Sequence, residues 1–377
     1  MFKKLDKESQ LNLGSLEKFV NKKRLKLIKK LLKQKRIEIY QKSFNTTLTN
    51  GMRYPQVKAG EGIDADDVNK EIENEVKKQV YAEFSQNAFE KITESIAPNI
   101  SGMEHIKKAA ALQLFSKQPI HILLLGDPGT GKTDILRSAA ELSPASSFGL
   151  GSGTSGAGLI VTVKGDEVIK GLLPKADQGL CAIDELNLMK KEDYAGLYNA
   201  MEKGFVTYDK AGKHFKFDAR VKMLATANPK GDKFDGQNIG ELKKEIPFDS
   251  ALLSRFHLVF MIRKPDLEQF KEIAKSIISN EDNDVKKENI NFIKGYIEHI
   301  QGQEDIDFPK EYQQQIIDFI EDIKKNEGNY LIDITPRFVV GVMRLCKALT
   351  RAEGRYEVEE ADIRKVKGIV RKSLKIS

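Results

Sequence analysis

Cysteine is almost missing from this chain of 377 residues: there are two, Cys181 and Cys346. They lie far apart and have no neighbouring His or Cys, which excludes a disulfide framework and a zinc ribbon. Each suits a small buried hydrophobe instead. Long apolar runs are missing as well. No segment approaches the roughly 20 residues that span a bilayer. The charged start MFKKLDKESQ has no apolar stretch of the signal-peptide kind. The expectation is an intracellular protein, cytoplasmic or nucleoid-associated, with no membrane partner. No long-period internal repeat is present either.

Hydrophobic residues make up 40% of the sequence, enough to fill the cores of two or three compact units. The net charge of +7 is local. Residues 1–40 hold 13 Lys/Arg against 4 Asp/Glu, so the remainder is slightly acidic. Apolar residues at 16, 19, 20, 27, 28, 31 and 32 among those lysines predict an amphipathic helix over 16–40. A basic arm of this kind can meet nucleic acid or an acidic surface, or simply be a solvated helix face.

Residues 45–62, rich in Thr, Asn and Gly and containing Pro55, read as a linker. Helical patterns cover 65–94 and 103–116. Apolar segments then recur at 121–125, 180–183, 221–227 and 257–262, alternating with helical stretches. Four buried strands in that setting predict a parallel α/β sheet. Beyond Pro265 only helical patterns follow, beginning with EQFKEIAKSII at 268–278. The predicted organisation is a basic helical arm at 1–44, a linker and helix at 45–85, an α/β core at 86–264 and a helical domain at 265–377.

The chemistry concentrates in the core. Residues 126–133 read GDPGTGKT, between an apolar strand and a helix-compatible stretch, which is the setting of a phosphate-binding loop. Gly126, Gly129 and Gly131 let backbone N–H groups converge on an anion, and the helix start adds its positive dipole end; Asp127, Pro128 and Thr130 complete the nucleotide-binding loop. Lys132 is placed to reach the β- and γ-phosphates, and the Thr133 hydroxyl to ligate Mg²⁺. The strand at 180–183 runs into Asp184 and Glu185, the form of a Walker B element. There the aspartate holds Mg²⁺ and the glutamate polarises the attacking water as general base. Two carboxylates at a strand end need a cation to compensate them. Asn228, closing ATANP at the end of the strand at 221–227, can orient that water. Arg255 in LLSRFHL and Arg337 after Thr335 and Pro336 are candidates to stabilise charge on a transferring phosphate.

The series GDPGTGKT, LCAIDEL, ATANP, LLSRF and ITPR resembles, in this order, the minichromosome maintenance (MCM) group of AAA+ ATPases. The likeness runs from about residue 86 to the end. It includes SIAPNISGMEHIKKAAALQLF at 95–115, the insert-like GSGTSGAGLIVTV at 151–163 and the hairpin-like MEKGFVTYDKAG at 201–212. The resemblance implies a P-loop AAA+ core with a C-terminal helical lid and a short helical N-terminal extension, hydrolysing ATP with Mg²⁺. It implies that Lys132, Thr133, Asp184, Glu185 and Asn228 act on nucleotide held by their own subunit. Arg255 and Arg337 would act on that of the next subunit in a homo-oligomeric ring, expected to be hexameric. The Lys-Ala-Gly tip would then carry Lys210, with Lys213 and His214 beyond it, towards single-stranded DNA in a central channel, touching phosphates and reading no bases.

The chain departs from that family's pattern in several places. Neither the oligonucleotide-binding barrel nor the zinc ribbon usual in the family fits into residues 1–85, and no room is left for a C-terminal winged helix. Position 257 is His where Asp is usual, and Walker B continues as Leu-Asn rather than Phe-Asp. Three functions compete: a DNA translocase or helicase, an ATPase remodelling a protein as chelatase- or MoxR-like relatives do, and a regulatory paralogue without useful turnover. The Lys-Ala-Gly tip favours the first, and intact Asp184, Glu185 and Arg255 argue against the third.

Overall fold

A computed structural model describes residues 77–375, apart from 165–166, 211–212, 266, 269–270 and 272–286. The predicted basic arm and linker lie outside the described residues, as does most of the helix expected over 268–278. The chain divides into two units, Met1–Gln86 and Asn87–Ser377. The described part of the first is helical over 77–85. The second holds the sheet and the helices around it.

The strands are, in chain order, β1 Ile122–Gly126, β2 Ser146–Leu150, the pair β3 Val161–Lys164 and β4 Glu167–Lys170, β5 Leu180–Asp184, the pair β6 Phe205–Lys210 and β7 Lys213–Asp218, β8 Lys222–Ala227 and β9 Leu258–Ile262. Five of them form a wholly parallel sheet in the order β2-β5-β8-β1-β9. β1, β5, β8 and β9 are buried along their whole length. Helices cover both faces of such a sheet, so its strands read as continuous apolar runs rather than alternating ones. β2 is the fifth strand, one more than the apolar runs predict. It sits at the edge, and its sequence SSFGL is small, polar and largely exposed, so it carries no run to detect.

The helices are α1 Ala88–Ser95, α2 Glu104–Phe115, α3 Lys132–Leu142, the short α4 Gly156–Leu159 and α5 Leu172–Lys175, α6 Tyr194–Lys203, α7 Ile239–Glu245, α8 Ser250–Leu253, and then α9 Lys287–Gln301, α10 Gln313–Lys325, α11 Pro336–Ala352 and α12 Glu360–Leu374. The last four fall in the C-terminal stretch where only helical patterns were expected. α11 packs on α2 and α12, and α12 packs on β9, so these helices share an apolar core with the sheet. Their start signals are local. α11 opens on Thr335 with Pro336 in the first turn, where a missing N–H costs nothing. α12 opens on a reciprocal capping box between Glu359 and Asp362. Asp362, 1% exposed, also takes two bonds from Arg355 at 2.6 and 2.9 Å and one from the Thr350 hydroxyl at 2.9 Å. That buried carboxylate is therefore fully compensated.

Two antiparallel hairpins stand off the main sheet. β3–β4 follows the stretch Gly151–Gly153 and α4, and β6–β7 follows α6. Among the described residues no helix is long and apolar enough to cross a membrane.

Candidate nucleotide site

The carboxyl ends of β1, β5 and β8 meet at one open cavity. It is lined by residues 128–134 together with Asp184, Glu185, Thr226 and Asn228. A crevice at the strand carboxyl ends is where open α/β sheets hold ligands. The loop closing β1 makes this possible through its glycines. Gly129 and Gly131 have φ of +74° and +81°, a left-handed backbone that side-chain-bearing residues adopt only at a cost. Gly126 answers a different need, because a Cβ there would stand 2.2 Å from the Ile262 carbonyl oxygen of β9.

Gly126 and Asp127 do not line the cavity. Asp127 is 5% exposed, and its carboxylate accepts from the Phe234 N–H at 2.9 Å and the Lys264 N–H at 3.0 Å. Its own N–H donates to the Ile262 carbonyl at 3.0 Å. It ties the loop to the segments that follow β8 and β9.

Lys132 begins α3 and is buried. Its ammonium donates to the carbonyls of Gly126 and Asp127 at 2.8 and 2.6 Å. Burial pulls its pKa down to about 8, against the upward pull of Asp127, Asp184 and Glu185. A cation held partly desolvated beside the loop amides gains much from an incoming phosphate.

Thr133 donates its hydroxyl to the Asp184 carboxylate at 3.0 and 3.2 Å. Asp184 is 5% exposed and also receives the Thr226 hydroxyl at 2.5 Å. Among the described residues, no three His, Cys, Asp or Glu side chains gather as a metal cage. One buried carboxylate facing one hydroxyl is the hard oxygen set that Mg²⁺ uses when substrate phosphates complete its shell. The residues thus fit Mg²⁺.

Glu185 has φ +52° and ψ +48°, a left-handed conformation costing roughly 1–2 kcal/mol for a residue with a Cβ. Two neighbours hold the surrounding backbone. The Thr226 hydroxyl oxygen accepts the Glu185 N–H at 2.9 Å, and the Asn187 side-chain oxygen accepts the Asn228 N–H at 3.0 Å. Strain kept at such a position points to function. Thr226 and Asn187 are absent from the residues predicted from sequence. The register gives the signal for Thr226, since Ala225 pairs with Ile183 and the next residue on β8 therefore adjoins Asp184.

Arg255 and Arg337 are together, and neither lines the cavity. Arg255 pairs with Glu202 at 2.8 Å and lies over the Tyr198 ring, 4.4 Å from its centroid. Arg337 donates to the Ser254 carbonyl at 3.4 Å. Burial, and then the neighbouring Arg255 charge, hold the Arg337 guanidinium below its ordinary pKa. Lys210 ends β6 and pairs in register with Lys213 at the start of β7. Ala211 and Gly212 between them lie outside the described residues, as do the two lysine side chains. His214 bonds Asp209 at 2.5 Å.

This loop, Walker B pair and parallel sheet define an α/β nucleotide-binding domain of the P-loop class. The MCM P-loop domain profile matches residues 75–281, more than half of the chain. The chain is 30% identical over 304 residues to the minichromosome maintenance protein MCM of Saccharolobus solfataricus, covering 75% of this chain and 44% of that protein. It is 30% identical over 319 residues to the DNA replication licensing factor MCM5 of Arabidopsis thaliana, covering 74% and 43%. A probable DNA helicase, MCM8 of the same plant, is 35% identical over 218 residues, covering 52% and 27%. The chain belongs to the MCM family. It spans less than half the length of these curated relatives.

Proposed function

We propose that this chain is an ATP-hydrolysing motor that moves along single-stranded DNA as a ring of copies. One observation carries this proposal. Lys132, Thr133, Asp184, Glu185 and Asn228 surround a single cavity, while Arg255 and Arg337 cluster away from it. Arginines that stabilise phosphate charge but stand outside their own pocket need a neighbour's pocket to act on. A head-to-tail contact of that kind closes by rotation into a ring, for which six copies are proposed.

In each pocket, the loop amides and Lys132 bind the β- and γ-phosphates of ATP. Mg²⁺, held through Thr133 and Asp184, would neutralise charge on the phosphate oxygens. Glu185 takes the proton of the attacking water as general base, and Asn228 orients that water. Arg255 and Arg337 from the adjoining copy stabilise the charge on the transferring group. Lys210 and Lys213, at the hairpin tip, pair with DNA phosphates in the channel without reading sequence. Two relatives are named a DNA replication licensing factor and a probable DNA helicase, which supports DNA as the track.

The test is ATP turnover by the full 377-residue chain with and without single-stranded DNA. DNA is expected to stimulate turnover, and Lys210→Ala to remove the stimulation. Turnover indifferent to DNA would favour the remodelling of a protein partner.

A further inference from the structure

The two faces of the β6–β7 hairpin differ in chemistry. Cross-strand partners share a face, so the register gathers Phe205, Thr207, Asp209, His214, Lys216 and Asp218 on one side. Charge on that side is matched locally. His214 bonds Asp209, the Lys216 ammonium stands 4.3 Å from the centre of the Phe205 ring, and Arg220 reaches Asp218 at 3.3 Å.

The opposite side pairs Val206 with Phe217 and Tyr208 with Phe215, and continues at the tip to positions 210 and 213, both lysine. It carries no carboxylate. Val206 is buried at the root, whereas Tyr208, Phe215 and Phe217 are half-buried. The Phe215 and Phe217 rings are parallel within 9°, with centroids 6.3 Å apart. By register, three aromatic positions on this face lead to two lysine positions, with no acidic position among the six.

Few partners match that order. An apolar protein surface would cover the rings but strand two lysines without a counter-charge, at a desolvation cost. A strand of unpaired nucleotides supplies both halves, bases for the rings and phosphates for the ammonium groups. In a duplex the base faces are already stacked on each other. We infer that Tyr208, Phe215 and Phe217 form a stacking platform for the bases of a single-stranded polynucleotide whose phosphates are met at positions 210 and 213. This rests on the proposal that single-stranded DNA passes the hairpin. It adds that the grip is on base faces as well as backbone, without sequence choice, because every base has a π face.

The experiment compares two labelled oligonucleotides of equal length, oligothymidine and its abasic counterpart, by fluorescence anisotropy on the full chain at several salt concentrations. The wild-type chain is expected to bind the base-bearing strand at least tenfold more tightly, as stacking on an aromatic platform requires. Tyr208→Leu with Phe215→Leu should bring oligothymidine down to the abasic level with the salt slope kept, and Phe215→Tyr should retain the preference. Lys210→Ala with Lys213→Ala should shallow the salt slope on both strands. Equal wild-type affinity for both oligonucleotides overturns the platform while the threading proposal stands. Binding of neither sinks the threading proposal itself. Because the wild-type comparison needs no variant, misfolding of the leucine variant leaves it decisive. A leucine variant that folds and keeps the full preference overturns the assignment to this face.

Discussion

The His121 and His257 rings face each other with centroids 5.1 Å apart, both in the buried core. His257 Nδ1 accepts the His121 backbone N–H at 3.0 Å. His121 Nδ1 accepts the Met223 N–H at 3.2 Å, and its Nε2 donates to the Met201 carbonyl at 3.1 Å. Those partners fix both tautomers and leave no room for a second proton. Burial takes His121 down to about 3 and, with the His121 charge adding to it, His257 down to about 2. The histidine that departs from the usual Asp after Arg-Phe is thus a neutral packing group, set against Gly341 of α11, where a Cβ would come within 2.9 Å of its ring.

That pair predicts acid sensitivity. Both folded-state pKa values lie below the unfolded value of about 6.5, so below that pH the unfolded chain takes up protons that the folded one refuses. Stability is full above about 6.5 and declines as pH falls towards 3. Each imidazole contributes about a tenfold loss in the folding constant per pH unit. Urea unfolding at pH 7, 6 and 5 reads this directly. His257→Asn, which keeps an acceptor for the His121 N–H, should halve the histidine-dependent slope. A folding constant that stays flat from pH 6.5 to 5 in the wild type would contradict it.

Lys132 predicts a pH limit on nucleotide affinity. Its pKa of about 8 in this structure rises when phosphate oxygens surround the ammonium, so binding takes up a proton above that pH. Affinity should be level below about 8, weaken by up to tenfold per unit as pH climbs from there towards the bound-state value, and level off above it. Titration of a fluorescent ATP analogue from pH 7 to 9.5 measures it. Lys132→Ala should bind weakly at all of these pH values, with no step near 8.

Thr226 and Glu185 should separate binding from turnover. Thr226→Val leaves the Glu185 N–H without its acceptor and removes one of the two hydroxyl donors to Asp184, the Thr133 hydroxyl remaining. The expected cost is about 1–3 kcal/mol of stability, read as a lowered Tm, together with slower hydrolysis at near-normal ATP affinity. Glu185→Gln should keep nucleotide bound while turnover falls by about 10²- to 10⁴-fold. Unchanged turnover in that variant would remove the general-base role.

Arg255→Ala should abolish most turnover without weakening ATP binding to its own chain, since Arg255 lies outside that cavity. Mixed with Lys132→Ala subunits, it should regain part of the activity, because some junctions then join an intact loop to an intact arginine. Absence of rescue at every mixing ratio would argue against shared sites.

Much of the frame was legible because parallel strands buried on both faces are largely apolar, as 122–125 and 258–262 are. The phosphate loop and the Asp184–Glu185 pair were legible because their chemistry demands fixed residues at fixed places. β2 was hidden, since an edge strand such as SSFGL has little apolar content to show. Thr226 was hidden because a threonine in a strand is ordinary until the register sets it beside Asp184. The clasp made by Asp127 was equally silent, for the donors to its carboxylate, Phe234 and Lys264, lie more than a hundred residues away.

That clasp constrains how the molecule can flex. With the Lys264 backbone bonded to a carboxylate of the phosphate loop, the chain is still anchored to the sheet as it departs for the C-terminal helices. The phosphate loop is thereby tied at one carboxylate to the segments that leave both β8 and β9.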